Sequence, residues 1–205
     1  MPDTAIDIAN RALARVGADD IVSLDDDSAE GRACQREYEG VVREALTVPG
    51  GAPYRWRFAS KQALLTRLQD TPPGRWAYAY QDPSDVLAVH AVTQGDVPVT
   101  YDRYDDKVFT DALTSAAGDL VMDYTFRPNE AMWPGYFTAG VVRDLAVKLA
   151  IGLREDTSLA RMVAQTFDWA GARRADSQGQ TARRLLGHGR LIPARFGGRF
   201  GRWPA

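Results

Sequence analysis

The sequence predicts an α+β protein, mainly a helical bundle with an inserted small antiparallel β region and an extended C-terminal arm. Apolar residues recur at helical spacing near both ends of the chain. Between those ends the spacing changes to the alternation that is typical of strands. After Arg174 the apolar period fades. We therefore expect a helical bundle domain over 1–75 and 128–178, a β insertion over 76–127 and an arm over 179–205.

The first helix is predicted from an apolar stripe that follows a capping signal. Asp3 or Thr4 can cap this helix, and Gly17 ends it. The stripe comprises Ala5, Ile8, Ala9, Ala12, Leu13 and Val16. Because these positions share one face of a helix, we expect that face to pack against the core.

The acidic stretch IVSLDDDSAEG follows the first helix and invites a calcium-binding interpretation. An EF-hand loop that began at Asp25 would need glycine at its sixth position and glutamate at its twelfth, but Glu30 and Arg36 stand there. The motif therefore fails. The sequence instead indicates that Asp27 caps a second helix over about residues 28–47, with Glu30 completing a capping-box-like pair.

The rest of the body is predicted from short strands and two further helices. The stretches DVLAVHAV, VPVTYDRY, DKVFTD and DLVMDYTF read as strands that turn residues separate. Helical spacing returns after RPNEAMWPG, and we expect Leu145 and Leu149 to be buried against the first two helices. A fourth helix, capped by Asp156 or Thr157, carries an apolar face, and ADSQGQ after it looks like a hinge. That face comprises Leu159, Met162, Val163, Thr166, Phe167 and Ala170.

The reactive side chains argue against an enzyme. The single cysteine, Cys34, cannot form an internal disulfide, and with His90 and His188 alone beside it a zinc site is disfavoured. Nothing orients a Cys–His pair, and Cys34 stands at an apolar helix position, which favours a buried thiol. The sequence has no glycine-rich phosphate loop and no nucleophile elbow. We expect no catalytic residue, no metal and no cofactor.

Charge is divided unequally along the chain. Residues 172–205 hold eight of the 25 basic residues and one of the 27 acidic residues, so the remainder carries a net charge of −9. The last stretch, LIPARFGGRFGRWPA over 191–205, has three arginines, three aromatic residues and no acid. Its glycines suit a segment that becomes ordered only on a partner.

Targeting signals are not evident in the sequence. No apolar run reaches the roughly 20 residues that span a bilayer. The first ten residues, MPDTAIDIAN, lack the basic start and apolar centre of a signal peptide. We expect the protein to be made in the cytoplasm.

Four stretches resemble the head–tail adaptor proteins of tailed phages and gene transfer agents, including the tail tubular protein A group. The stretch IANRALARVGADDIVSLDDDSAEGRACQREYEGVVREAL is similar to the opening helix pair of that family. WRFASKQALL resembles the segment after the second helix, and YAYQDPSDVLAV resembles the entry into the β region. PGYFTAGVVRDLAVKLAIGL is similar to the long third helix. The stretches follow the order of the family and cover about residues 4–176.

The resemblance implies a structural protein of the virion neck, made in the cytoplasm of a bacterial host. Such adaptors form rings, commonly dodecamers, beneath the portal and extend the viral DNA channel toward the tail. The expected partners are further copies of this chain, the portal protein and a downstream tail or stopper protein. Packaged DNA is expected to pass through the lumen without sequence-specific binding, because an acidic body repels phosphate.

The arm is expected to dock on the portal, since C-terminal segments of such adaptors commonly clasp it. Arginine and aromatic side chains suit this role because they bring bidentate pairing and a large contact area. The expected portal-contact residues are Arg183, Arg184, Arg190, Arg195, Phe196, Arg199, Phe200, Arg202 and Trp203. Two alternatives stay open: a neck protein of the stopper type, and a nucleic-acid-binding protein that acts through RFGGRFGR, which resembles RGG-type segments.

Overall fold

A computed structural model of the chain describes residues 3–69, 74–95, 97–113 and 119–178. The helices are α1 (Ala5–Arg15), α2 (Ala29–Thr47), α3 (Gly135–Arg154), α4 (Thr157–Ala164) and α5 (Trp169–Gln178). The strands are β1 (Ser60–Leu64), β2 (Thr66–Arg67), β3 (Tyr78–Gln81), β4 (Ala88–Gln94), β5 (Val97–Pro98), β6 (Tyr101–Tyr104), β7 (Lys107–Thr110) and β8 (Leu120–Thr125).

The fold class predicted from the sequence is wrong. The structure is a mixed α+β fold with two four-stranded antiparallel sheets, and not a helical bundle with a small β insertion. β1 and β2 come from SKQAL and TR, which the sequence assigned to the helical bundle. Lysine, glutamine, alanine and leucine are good helix formers, but Ser60–Leu64 pairs along its whole length with β8. Pairing with a distant strand outweighs the weak local preference.

The two sheets form a sandwich that the chain joins at both margins. Their strand orders are β1-β8-β4-β5 and β2-β3-β7-β6. Leu65 alone separates β1 from β2, and two residues separate β5 from β6, so the chain crosses between the sheets at each margin. Both sheets contribute to one apolar cluster, which contains Leu65, Tyr80, Val92, Val108, Leu120, Met122 and Tyr124. The strands therefore enclose an apolar core of their own.

A second and larger core lies among the helices, with α3 at its centre. α3 packs against α1, α2, α4 and α5. Leu145 and Leu149 are buried in this cluster, which confirms the prediction made for them. At the end of α3, the guanidinium of Arg154 donates hydrogen bonds to the carbonyl oxygens of Val16 and Gly17, so the ends of α1 and α3 are tied together.

The start of α1 follows the prediction, whereas the start of α2 does not. Thr4 caps α1, and its hydroxyl and backbone amide form a reciprocal capping box with Asp7. The prediction that Asp27 caps α2 is wrong, because the cap is Ser28, whose hydroxyl accepts the Gly31 N–H at 3.0 Å. Asp27 instead points outward and pairs with Arg32 on the surface. The cap is therefore a serine hydroxyl, one position after the predicted aspartate.

The predicted fourth helix is two helices. Asp156 caps α4 by accepting the N–H groups of Ser158 and Leu159, as one of the two predicted alternatives stated. α4 ends at Ala164, where the Thr166 hydroxyl donates to the Val163 carbonyl oxygen at 2.7 Å and competes with the helical hydrogen bonds. The hinge predicted after Arg174 is wrong through residue 178, because α5 continues to Gln178.

Candidate partner-binding site

The predicted portal-contact residues cannot be placed in this fold. All nine lie within 179–205, outside the described residues. The described element that leads to them is α5, and its attachment to the body is the part of the predicted site that the structure defines. We call the residues that hold α5 the α5 anchor: Tyr54, Tyr136, Trp169, Arg173 and Asp176.

Asp176 is the centre of the α5 anchor. Its carboxylate is 5% exposed and accepts hydrogen bonds from three directions. The Tyr136 hydroxyl donates to Oδ1 at 2.8 Å, and the Tyr54 hydroxyl lies 3.0 Å from Oδ2. The backbone N–H of Arg57 also donates to Oδ2, at 3.3 Å. A buried carboxylate with several donors is stabilised in its place, so the last turns of α5 are fixed to α3 and to the segment before β1.

The two tyrosines are reliable donors to this carboxylate. Burial, reinforced by the charge of Asp176, raises the pKa of Tyr54 to about 12. Burial and the hydrogen bond to Asp176 also hold the pKa of Tyr136 above its ordinary value. Both hydroxyls therefore keep their protons throughout the neutral range, so the network does not titrate through its tyrosines at physiological pH.

Trp169 fixes the other end of α5. Its indole N–H donates to a carboxylate oxygen of Asp144 at 2.9 Å, and burial raises the pKa of that carboxyl. The ring packs so closely on α3 that a Cβ added at Gly140 would lie 2.3 Å from a ring carbon. The ring also lies 5.8 Å from Trp56, between ring centroids. Glycine at position 140 is therefore what lets α5 approach α3.

Arg173 ties the middle of α5 to the chain that follows α2. Its guanidinium donates a hydrogen bond to the Pro49 carbonyl oxygen and lies 6.0 Å from the centre of the Tyr54 ring. The Tyr54 hydroxyl is also 3.1 Å from the Arg173 carbonyl oxygen. α5 is thus held at its start, its middle and its end, and the arm begins from a fixed point on the body.

Replacing Asp176 by alanine should lower the free energy of unfolding by about 1–3 kcal/mol, because it removes the acceptor of the Tyr136 hydroxyl and of the Arg57 N–H. Chemical denaturation measures this change. Asp176→Asn keeps one carbonyl oxygen and should lose less. The exposed neighbour Ser177 is the matched control, and its replacement by alanine should stay within about 0.5 kcal/mol. Equal effects at the two positions would contradict the anchor.

The α5 anchor escaped sequence reasoning because its members are far apart in the chain. Tyr54 and Asp176 are separated by 122 positions. One signal was present: Asp176 is the single acid in a stretch rich in arginine. Such an isolated acid suggests a specific hydrogen-bonding role, since nothing in the local charge pattern calls for it.

The reactive side chains are placed as follows. Cys34 is buried, as predicted, and burial raises its pKa to about 11, so the thiol is poorly suited to nucleophilic attack. His90 shares a 2.7 Å hydrogen bond with the Thr125 hydroxyl, while His188 lies outside the described residues. In the described part of the chain, no group of three or more His, Cys, Asp or Glu residues is placed to hold a metal ion.

Comparisons with known proteins add no family to this description. No protein-family model matches the chain, and no curated protein matches it. Across the residues that the structure describes, no helix has both the length and the apolar composition needed to cross a membrane.

Proposed function

We propose that this chain is a structural head–tail adaptor of a tailed phage. In this proposal several copies form a ring below the portal in the neck of the virion, and the ring extends the DNA channel and links the capsid to the tail. The C-terminal arm docks on the portal, and a tail or stopper protein binds on the opposite side. The role is structural and requires neither enzymatic activity nor a cofactor.

The observation that carries the proposal is the α5 anchor. A segment that clasps a partner transmits force to the body only if its base is fixed. The buried carboxylate of Asp176 and the Trp169 ring hold α5 at both ends, immediately before the arm begins. Without this attachment, a force applied to the arm would unfold α5 and would not be transmitted to the rest of the body. The anchor therefore suits a mechanical link.

The charge distribution also supports an adaptor. The body is acidic, whereas 179–205 contains six arginines and no acid. Duplex DNA that passes an acidic wall is repelled and slides, whereas a basic wall would bind it in proportion to the phosphate contacts made. A basic arm on an acidic body thus separates partner binding from DNA passage.

Assembly should depend on the portal. At micromolar concentration we expect monomers or small oligomers of the isolated protein, and rings when portal is added, because each arm must overcome its loss of conformational entropy on docking. Electron micrographs of the purified protein with and without portal rings test this. Rings stacked on portals are the expected result. Portals that stay bare at saturating protein would overturn the adaptor proposal, and a stable ring without portal would contradict only the conditional assembly.

A further inference from the structure

A basic groove of about 240 Å³ lies between α2 and α3, which we call the α2–α3 groove. Its cationic lining residues are Arg32, Arg36 and Lys148, against a single acid, Glu37. Arg32 pairs with an exposed aspartate, and exposed pairs contribute little. In the described part of the chain, Arg36 and Lys148 form no ion pair. The groove therefore presents positive charge that the body does not neutralise.

The sequence explains why this groove exists. On α2, alanines at 29 and 33 alternate with Arg32 and Arg36 at helical spacing, so small residues lie between the two arginines. Gly152 on α3 faces the same space, and half-buried Leu153 provides apolar surface beside the buried Leu149. The small side chains leave space between the surfaces of the two helices, and the long cationic side chains surround that space. The groove thus combines an apolar floor with a basic rim.

An acidic stripe with the opposite pattern runs along α1 and its two ends, and we call it the α1 stripe: Asp3, Asp7 and Asp20. Its one cation, Arg11, pairs with Asp3 at 3.1 Å. Asn10 places Asp20 there, because its side-chain amide exchanges two 2.9 Å hydrogen bonds with the backbone of Ile21. Hydrogen bonds from Thr4 hold the pKa of Asp7 below its ordinary value, so this carboxylate is charged at neutral pH.

The groove and the stripe share no residue. The buried side of α1 packs against α3 through Ile8, Ala9, Ala12 and Leu13. The α1 stripe is on the opposite side of that helix, facing solvent, whereas the α2–α3 groove opens where α2 meets α3. A contact between the groove of one copy and the stripe of the next is therefore heterologous, the type of contact that forms rings when it closes.

We propose that the α1 stripe of one copy docks against the α2–α3 groove of its neighbour. When the Asp3–Arg11 and Arg32–Asp27 pairs are set aside, the stripe keeps two carboxylates and the groove keeps two cations beside Glu37. The two surfaces therefore have net charges of opposite sign. A second copy is favoured over DNA because the body carries a net negative charge that repels phosphate. This inference depends on the proposed function in one respect: a ring of copies requires a heterologous contact of this kind.

A charge-swap experiment on the full chain tests the contact without portal. The groove variant carries Arg36→Glu and Lys148→Glu, and the stripe variant carries Asp3→Lys and Asp20→Lys. Asp7 is left in place because it completes the capping box with Thr4 at the start of α1. Sedimentation velocity over a concentration series measures self-association. Each double variant should weaken self-association at least about tenfold, since like charges brought together across a contact cost several kcal/mol.

Compensation decides the result. A chain with all four substitutions should recover self-association to within about threefold of the natural protein, and so should an equimolar mixture of the two double variants, because the opposite charges face each other again. Melting temperatures of all variants, measured by circular dichroism, show that each one folds. If the four-substitution chain and the mixture do not recover self-association, the result counts against the pairing.

Matched reversals elsewhere serve as controls. Arg43→Glu with Arg161→Glu changes the charge as much as the groove variant does, and Glu44→Lys with Asp119→Lys matches the stripe variant; all four residues are exposed. These controls should self-associate like the natural protein. Failure of rescue, an equal loss in the controls, or no self-association of the natural protein up to about 1 mM would overturn the proposal. Portal binding is measured separately, so the adaptor role can fail or stand independently.

Discussion

Replacing Phe196, Phe200 and Trp203 by alanine should abolish co-sedimentation of the protein with portal rings. Buried aromatic anchors at interfaces contribute up to several kcal/mol each, so the loss of three exceeds what the remaining contacts can offset. The variant keeps every charge of the arm. The measurement is co-sedimentation in moderate salt and without DNA, so that charge attraction alone does not retain the protein.

The arginines of the same stretch provide the comparison. Changing Arg195, Arg199 and Arg202 should weaken portal binding less than the aromatic substitutions if the arm is a clasp. If the arm instead binds nucleic acid through charge, the arginine variant should show the larger loss, seen as reduced salt-dependent retention on single-stranded DNA. Removal of residues 180–205 should leave thermal stability nearly unchanged, since α5 ends before them. A truncated protein that still co-sediments as well as the intact one would end the clasp hypothesis.

Replacing Leu149 by alanine should lower the free energy of unfolding by about 2–5 kcal/mol, the range for a buried leucine truncated to alanine. Leu149 is 1% exposed on the central helix, and its side chain belongs to the helical core. Neighbouring helices cannot close the space because α3 is held by four of them. Chemical denaturation of the purified variant measures the change.

Ile151 is the control for this prediction. It lies two positions along the same helix and is 51% exposed. Ile151→Ala should change the free energy of unfolding by no more than about 0.5 kcal/mol, as for a surface position. If Leu149→Ala changes stability by as little, the packing of α3 against α1 and α2 is not as described.

Local signals in the sequence predicted the helix positions well but not the extent of the sheets. The cap at Asp3 or Thr4 and the apolar stripe on α1 are predicted from short-range patterns, and the structure has the Thr4 cap and the buried stripe. SKQAL carries no strand pattern of its own, and it forms a strand because it pairs with β8, whose residues are 57 to 65 positions away in the chain. The same limit applies to α5, whose last turns are stabilised by Tyr54 and Tyr136 and not by neighbours in the chain.

For the candidate site, the sequence predicts an arm from its composition but does not predict how α5, which precedes it, is attached. Arginine, phenylalanine and tryptophan at glycine-spaced positions are visible without a structure. The contacts of Asp176 and Trp169 with α3 and with the segment before β1 are long-range, so periodicity could not reveal them. The adaptor assignment and the portal-contact residues remain predictions that the binding experiments test.

The joined margins of the β sandwich limit how other chains can attach to it. A foreign strand can extend a sheet only along an unpaired edge, and the edge strands here are at most five residues long before the chain crosses to the other sheet. One of them contains Pro98, which has no N–H to donate. Copies at high local concentration therefore find few unpaired backbone N–H and C=O groups with which to extend the sheets. Contacts between copies then depend on side chains, and the sequence can determine which surfaces bind each other.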